Sequence, residues 1–288
     1  MLSESLLVSV LMTSYNREAF IEEAIRSVLA STYNHFELII VDDLSTDKTV
    51  SISESYREKD ERVRLYINEK NLGDYPNRNK AAEYAKGVYL LYVDSDDTIN
   101  DDAIEYCVNS MQNNIEADFA MIYLINKIPS PILMKPYESI HSHFFKEPFL
   151  IKNPGGTFLK KAFFENIGKY PTLYGPANDM YFNLKAAKNG NILLLPYNFL
   201  NYRIHEGQEM NNKNSYLINR YLFLKDALNE LDFELTLKEK NWITNKNKRR
   251  FLKNIFKYFK QDFDLKSTYE KLKITGFTFK DFLKAIFH

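Results

Sequence analysis

The stretch LLYVDSDDTI (90–99) sets an apolar run against three carboxylates, Asp94, Asp96 and Asp97, with only Ser95 between the first two. Anions this close repel and raise one another's pKa, so leaving them unpaired costs stability. Either they face water as a turn and helix cap, or a cation sits among them. Two further polar clusters close apolar runs: LLVSVLMTS (6–14) leads into Thr13–Arg17, TSYNR, and FELIIVDD (36–43) ends in Asp42 and Asp43. A set of hard oxygen ligands suits Mg2+ or Mn2+, which in turn holds a diphosphate. The fingerprint GxGxxG is missing from the first turn, and so is the P-loop pattern, so a backbone cradle for phosphate is not expected.

The elements that must position these residues alternate over the first 125 positions. Strands are predicted over 6–14, 36–43, 62–68, 88–94 and 117–125. Between them, Asn16 is placed as the N-cap of a helix whose apolar positions are Phe20, Ile21, Ala24, Ile25, Val28 and Leu29. Helices are also expected near 47–58, over 77–87 closed by Gly87, and from a cap at Asn100 to about Asn113. Strands without alternation, separated by helices, indicate a mostly parallel sheet covered on both faces. In such a sheet ligands sit beyond the carboxyl ends of the strands, where all three polar clusters fall. After 126 the pattern loosens into a Pro-rich, aromatic stretch read as a long loop or subdomain edge. A helix near 178–189 and two short strands, NILLLP and FLNYRIH, follow it.

With SYNR, VDDxSxD and DSDD in order at predicted strand ends, residues 8–49 and 71–97 resemble the nucleotide-sugar half of family 2 glycosyltransferases. The resemblance is close over about 6–125 and looser to about 208. It implies the GT-A fold: a Rossmann-like, mostly parallel central α/β sheet flanked by helices, here with a helical C-terminal extension. It further implies that Thr13 and Tyr15 line a uracil pocket, that Arg17 reaches the pyrophosphate or base edge, and that Asp43 reads the uracil ring N–H. Asp42 then supports the turn. Arg78 falls at the family's A-R-N position near the nucleotide, with Asn77 in place of the usual Ala. Asp94 with Ser95 accepts from the ribose, Asp96 binds Mn2+ or Mg2+, and Asp97 is either a further ligand or the helix-side cap.

Inverting glycosyl transfer needs a carboxylate to deprotonate the acceptor hydroxyl, while the metal neutralises the departing diphosphate. In GPANDMYFNLKAAKNG (175–190) the resemblance aligns Asp179 with that base, although Asn178 replaces the usual Glu and Tyr181 the second Asp. The plain alternative is an acid favoured at a helix start by the dipole. Residues 153–170 resemble the segment that borders the donor sugar and acceptor in the family, with Gly155 and Gly156 allowing close backbone approach. His205, in YRIHEG (202–207), resembles a residue that meets the metal or diphosphate in some relatives; otherwise it is a packing histidine. The Q-x-x-R-W pattern of processive members is absent, since Trp242 follows Asn241.

Bulk properties bound the rest. The 288 residues are 45% hydrophobic and 26% charged, ordinary for a globular chain. The single cysteine, Cys107, rules out an internal disulfide and is expected in the core. An acid stands where a signal peptide carries positive charge, and no apolar run approaches a bilayer span, so a cytoplasmic location is expected, including the inner face of the membrane. The net charge of zero hides an asymmetry: residues 213–288 hold 17 Lys and Arg against 9 Asp and Glu, and residues 1–212 hold 21 against 29. A catalytic domain over 1–212 is therefore expected, with a nucleotide half to 125 and an acceptor half over 126–212, followed by a basic helical region from 213. Within that region, NKNKRRFLKNIFKYFK (245–260) has seven cations and no acid. Its face of Phe251, Leu252, Ile255, Phe256 and Phe259 either lies on an anionic bilayer or packs on the catalytic domain with lysines snorkelling.

The combined expectation is a metal-dependent enzyme moving one sugar from a nucleotide diphosphate sugar, with UDP expected, to a glycan or lipid-linked acceptor in surface polysaccharide or glycolipid assembly. The alternatives are a sugar nucleotidyltransferase and a non-catalytic nucleotide-sugar or membrane-surface binding protein. The acidic N-terminal region argues against nucleic acid.

Overall fold

The computed structural model describes residues 6–125, 128–205, 213–278 and 280–282. They divide into two units: 6–172 with 182–204, and 173–181 with the residues from 205 onward. The expected boundary at 212/213 falls at the edge of the described residues, and the observed division differs from it by drawing 173–181 into the second unit. The reason is local. Tyr174 and Tyr181 stack with centroids 5.0 Å apart, and their hydroxyls donate to Asp226 and Glu230 in the helix α8 (Lys213–Glu230).

The first unit begins with the alternation expected from sequence: β1 (Val8–Ser14), α1 (Ile21–Leu29), β2 (Phe36–Asp42), α2 (Thr49–Arg57), β3 (Val63–Ile67), α3 (Asp74–Tyr84) and β4 (Tyr89–Tyr92). It continues with β5 (Thr98–Ile99), α4 (Ala103–Asn113), β6 (Phe119–Ile122), β7 (Ile132–Met134), α5 (Pro136–Phe145), β8 (Thr157–Lys160) and α6 (Lys161–Asn166). α7 (Asn178–Asn189), which enters this unit at Phe182, β9 (Ile192–Leu195) and β10 (Leu200–Asn201) complete the order. The eight-stranded sheet runs β3-β2-β1-β4-β8-β6-β9-β7. β3, β2, β1 and β4 are parallel, whereas β8 pairs antiparallel with both β4 and β6. A separate antiparallel pair joins β5 to β10.

Successive strand residues feed opposite faces. Val8, Val10, Met12, Leu38, Ile40, Leu91 and Val93 pack with Ile21, Ala24, Ile25, Ile104, Cys107 and Val108 of α1 and α4 in one buried cluster. On α4 the fully buried Cys107 thiol has its pKa pushed up by desolvation, as suits a core residue. Tyr92 faces the other way, into an aromatic group with Phe164 and Tyr170, whose ring lies 4.4 Å from Phe182. Both faces are thus covered, which is why the strands lack alternation.

Four expectations are corrected. Asn16 is not a cap: it has φ +52°, its Oδ1 accepts from the Thr46 backbone N–H at 2.9 Å, and α1 starts at Ile21. Asn100 donates to the Tyr197 hydroxyl, and Asp102 precedes α4. Gly87 does not end α3, which stops at Tyr84; a Cβ there would lie 2.5 Å from the Ser9 backbone nitrogen, so glycine admits β1. The stretch after 126 holds β7, α5 and β8 rather than a long loop. β8 is four residues long, too short for a readable period, yet Phe158 and Leu159 are fully buried between β4 and β6.

In the second unit, α8, α9 (Leu237–Asp262) and α10 (Leu265–Thr275) are helical, as expected for the basic region. α9 opens on a capping box, Thr236 with Glu239. Its apolar face is occupied: Phe251, Leu252 and Ile255 cluster with Leu217 and Tyr221 of α8 and Leu272 of α10. No described helix is long and apolar enough to cross a membrane.

Candidate active site

The carboxyl ends of β1, β2 and β4 bring the three polar clusters to one rim. Ser14 pairs with Asp42 across β1 and β2, and Leu11 pairs with Tyr92, so two residues on Thr13 and Asp94 lie level. Asp42 is fully buried and closes its own turn, accepting from Ser14 Oγ at 2.8 Å, Ser45 N at 2.7 Å and Ser45 Oγ at 2.6 Å. Tyr15, just beyond β1, is 47% exposed, an aromatic ring open to a stacking partner.

Asp43 is held by its own chain. Its carboxylate accepts from Asn68 Nδ2, Leu72 N and Gly73 N, each at 2.8 Å. A carboxylate has about four lone-pair sites, so one acceptor position is left. Sequence reading missed the support behind it: buried Asn77 accepts from the same Asn68 amide and donates to the Val41 carbonyl at 3.0 Å. The signal was present as the Asn that replaces the usual Ala.

Beyond β4, Asp94, Asp96 and Asp97 offer carboxylate oxygens all within 4.8 Å of one another. Each acid has a different environment. Asp94 accepts from Arg78 Nη1 at 2.6 Å, while Arg78 Nε is 2.8 Å from Asp74. Burial pushes the Asp94 carboxyl up and Arg78 draws it back down. Asp96 meets Arg17 Nε at 3.1 Å. Asp97 is wholly buried. One of its oxygens accepts the Arg203 backbone N–H at 2.9 Å, and the other has no partner among the described residues. Desolvation first, then the charge of Asp94, pushes its carboxyl up to about 7.

Buried acceptors are almost always paired, so an orphaned oxygen on an acid grouped with two others leaves a position that a cation would satisfy. Three hard oxygen donors without nitrogen or sulfur fit Mg2+ or Mn2+. Asp97 is also tethered, through Arg203, to the segment after β10, while the Arg203 side chain reaches Glu23 of α1 at 3.0 Å. Gly155 fits the same rim: a Cβ there would sit 3.2 Å from the Leu200 side chain and 3.4 Å from the Tyr92 carbonyl.

The rim of the first unit thus unites Thr13, Tyr15, Arg17, Asp43, Arg78, Asp94, Ser95, Asp96 and Asp97. Asp179 and His205 belong to the second unit. Asp179 is buried in the first turn of α7. The Asn178 side chain before it folds back on the preceding turn, accepting from Tyr174 N at 2.9 Å and donating to the Gly175 carbonyl at 2.7 Å. That turn is therefore closed by Asn178. Glu206 and Gly207 of the R-x-H segment lie outside the described residues.

The sequence profile described as glycosyl transferase family 2 matches residues 9–168, which hold the whole rim. The chain belongs to glycosyl transferase family 2. Among relatives of this family 2 chain, the Bacillus subtilis protein TuaG, named for teichuronic acid biosynthesis, is 46% identical over 99 residues, 34% of this chain and 39% of TuaG. The chain spans only about two-fifths of the length of the first such relatives. In fold it resembles S. aureus TarS 1–349 in complex with UDP-GlcNAc, with a TM-score of 0.71 at 23% identity over 98% of this chain and 82% of that one. It also resembles the Pyrobaculum calidifontis mannosyltransferase PcManGT in complex with GDP-Man and Mn2+, with a TM-score of 0.65 at 15% identity over 99% and 87%. Both matches establish the GT-A fold for this chain.

Proposed function

We propose that this protein is an inverting glycosyltransferase that moves one sugar from a nucleotide diphosphate sugar, UDP-linked, to an acceptor hydroxyl of a glycan or lipid-linked glycan in surface polysaccharide assembly. The observation that carries the reading is the group Asp94, Asp96 and Asp97 at the carboxyl rim, with one buried Asp97 oxygen unpartnered. The complexes of TarS with UDP-GlcNAc and of PcManGT with GDP-Man and Mn2+ support a donor of this class. The name of TuaG supports the polysaccharide setting.

Each residue has a task in this reading. Tyr15 stacks on the base, Thr13 borders it, and Asp43 accepts the uracil N–H through the acceptor position its own chain leaves open. Asp94, oriented by Arg78, accepts from the ribose together with Ser95. Asp96 and Asp97 would hold Mn2+ or Mg2+. A divalent ion bound there supplies Lewis-acid neutralisation of the leaving diphosphate. Arg17 adds a guanidinium to the same phosphates. Asp179 takes the proton of the acceptor hydroxyl as its oxygen bonds to the anomeric carbon and the nucleoside diphosphate departs from the opposite face.

Calorimetric titration with UDP, GDP and dTDP, each with Mn2+ and then with EDTA, tests the donor site. UDP binding that needs Mn2+ and falls by about 100-fold or more in Asp96→Ala is the expected result. Absence of binding by all three nucleotides in both conditions overturns the reading.

A further inference from the structure

The apolar face of α9, which the sequence offers to a bilayer, is used up inside the second unit; the opposite face is not. Trp242, Lys246, Arg249, Lys253, Lys257 and Lys260 recur at intervals of four, three, four, four and three residues, and all six are exposed. This spacing aligns them in one stripe along the helix. At about 1.5 Å per residue the stripe is roughly 27 Å long. It lies away from Ile243, Asn247, Phe251 and Ile255, the buried positions that hold α9 in its unit.

No acid occurs between Lys240 and Gln261. Among the described residues no carboxylate pairs with the five cations of the stripe: Lys246 sits over the Trp242 ring at 4.5 Å, Lys260 over Phe256 at 4.7 Å, and Arg249, Lys253 and Lys257 have no partner. A folded chain with as many acids as bases ordinarily intersperses them, and here an entire helix face carries one sign. Exposed aromatics stand at both ends of the row, Trp242 at 48% and Phe263 at 73%. Cations flanked by amphipathic aromatics are what a headgroup layer accommodates. A row on the outward side of a helix presents an edge rather than a groove, and an edge fits a plane of charges better than a single threaded chain.

We propose that α9 docks the protein on an anionic lipid surface through the stripe Trp242–Lys246–Arg249–Lys253–Lys257–Lys260, electrostatically and without inserting its apolar face. The contact is independent of nucleotide and metal, so it stands or falls separately from the transferase reading.

Co-sedimentation of the full chain with vesicles tests it, using phosphatidylcholine alone or with 30 mol% phosphatidylglycerol. Binding is expected only to the anionic vesicles and is expected to weaken in high salt. The triple variant Arg249→Gln, Lys253→Gln, Lys257→Gln alters no buried contact. It should lower partitioning on the order of 100-fold, from roughly a factor of five for each cation. A control of equal charge change, Lys266→Gln, Lys273→Gln, Lys280→Gln, should lower it less than about tenfold. Failure of the wild type to bind anionic vesicles overturns the proposal, as does equal loss in the two triples. Soluble polyphosphate that binds and excludes vesicles at equal phosphate would assign the stripe to a linear polyanion instead, and overturns it too.

Discussion

The two ends of the central sheet treat a buried acid in opposite ways. Near the amino end of β2, Glu37 accepts from Ser9 Oγ at 2.7 Å, from the Lys86 backbone N–H at 2.7 Å and from Arg64 at 2.7 Å. Every donor around it is served, and Ser9 in turn accepts the Gly87 N–H at 2.8 Å. At the carboxyl end, Asp94, Asp96 and Asp97 crowd together and one buried oxygen is left over. A carboxylate whose partners are complete holds the fold; one whose partners are incomplete is destabilising until something else arrives. The chemistry of the residue is the same, and the completeness of its surroundings separates scaffold from site.

Three substitutions sharpen that contrast. Glu37→Ala should have the largest effect on stability, about 3 kcal/mol, because it strands the Lys86 backbone N–H, the buried Ser9 hydroxyl and the partly buried Arg64 guanidinium. Urea unfolding should register the loss while nucleotide affinity, measured on the folded protein, stays near wild type. Equal stability would break the contrast.

Asp97→Asn should act in the other direction. In EDTA at pH 8 it is expected to stabilise by about 1 kcal/mol, since an amide costs less to bury than an unpaired anion. An acid raised from its usual range to about 7 destabilises increasingly as pH climbs through that interval, so the gain should shrink at pH 5. Thermal melts at the two pH values read this directly, and a lower midpoint at pH 8 than wild type would count against it. The same variant should weaken Mn2+ binding by about tenfold or more.

The smallest effect belongs to Arg17→Gln. Arg17 pairs with Asp96, so on the proposed reading it competes with the metal ion, and removing the guanidinium should tighten Mn2+ binding by about threefold in the absence of nucleotide. A Mn2+ titration followed by electron paramagnetic resonance would detect it. Weaker binding would mean that Arg17 orients Asp96 rather than competing for it.

Much of the first unit was legible because its signals are local. β1, β2 and β4 are apolar runs ended by polar clusters, and α1 carries helical spacing from Ile21 to Val28. β8 was invisible, since four residues cannot display a period and its antiparallel place between β4 and β6 depends on partners far along the chain. Caps misled for a related reason. Asn16 looks like the start of α1, but the turn after β2 claims its side chain, as Tyr197 claims Asn100. Such competition among hydrogen-bond partners is settled only when the loops meet.

For this protein, sequence alone determined where polar clusters close the apolar strands: Asp94, Asp96 and Asp97 after β4, Asp42 and Asp43 after β2, and the aromatic and basic residues after β1. Only the tertiary structure decided what each of them touches there. Asp42 is spent on its turn, Asp43 on the loop to Gly73, and Asp94 on Arg78, while Asp97 keeps one oxygen unclaimed. On α9, likewise, the sequence supplied two faces, and packing against α8 and α10 determined which of them is left for solvent. The physical reason is common to both: side-chain type and spacing are written locally, whereas desolvation and partner supply depend on residues far apart in the chain.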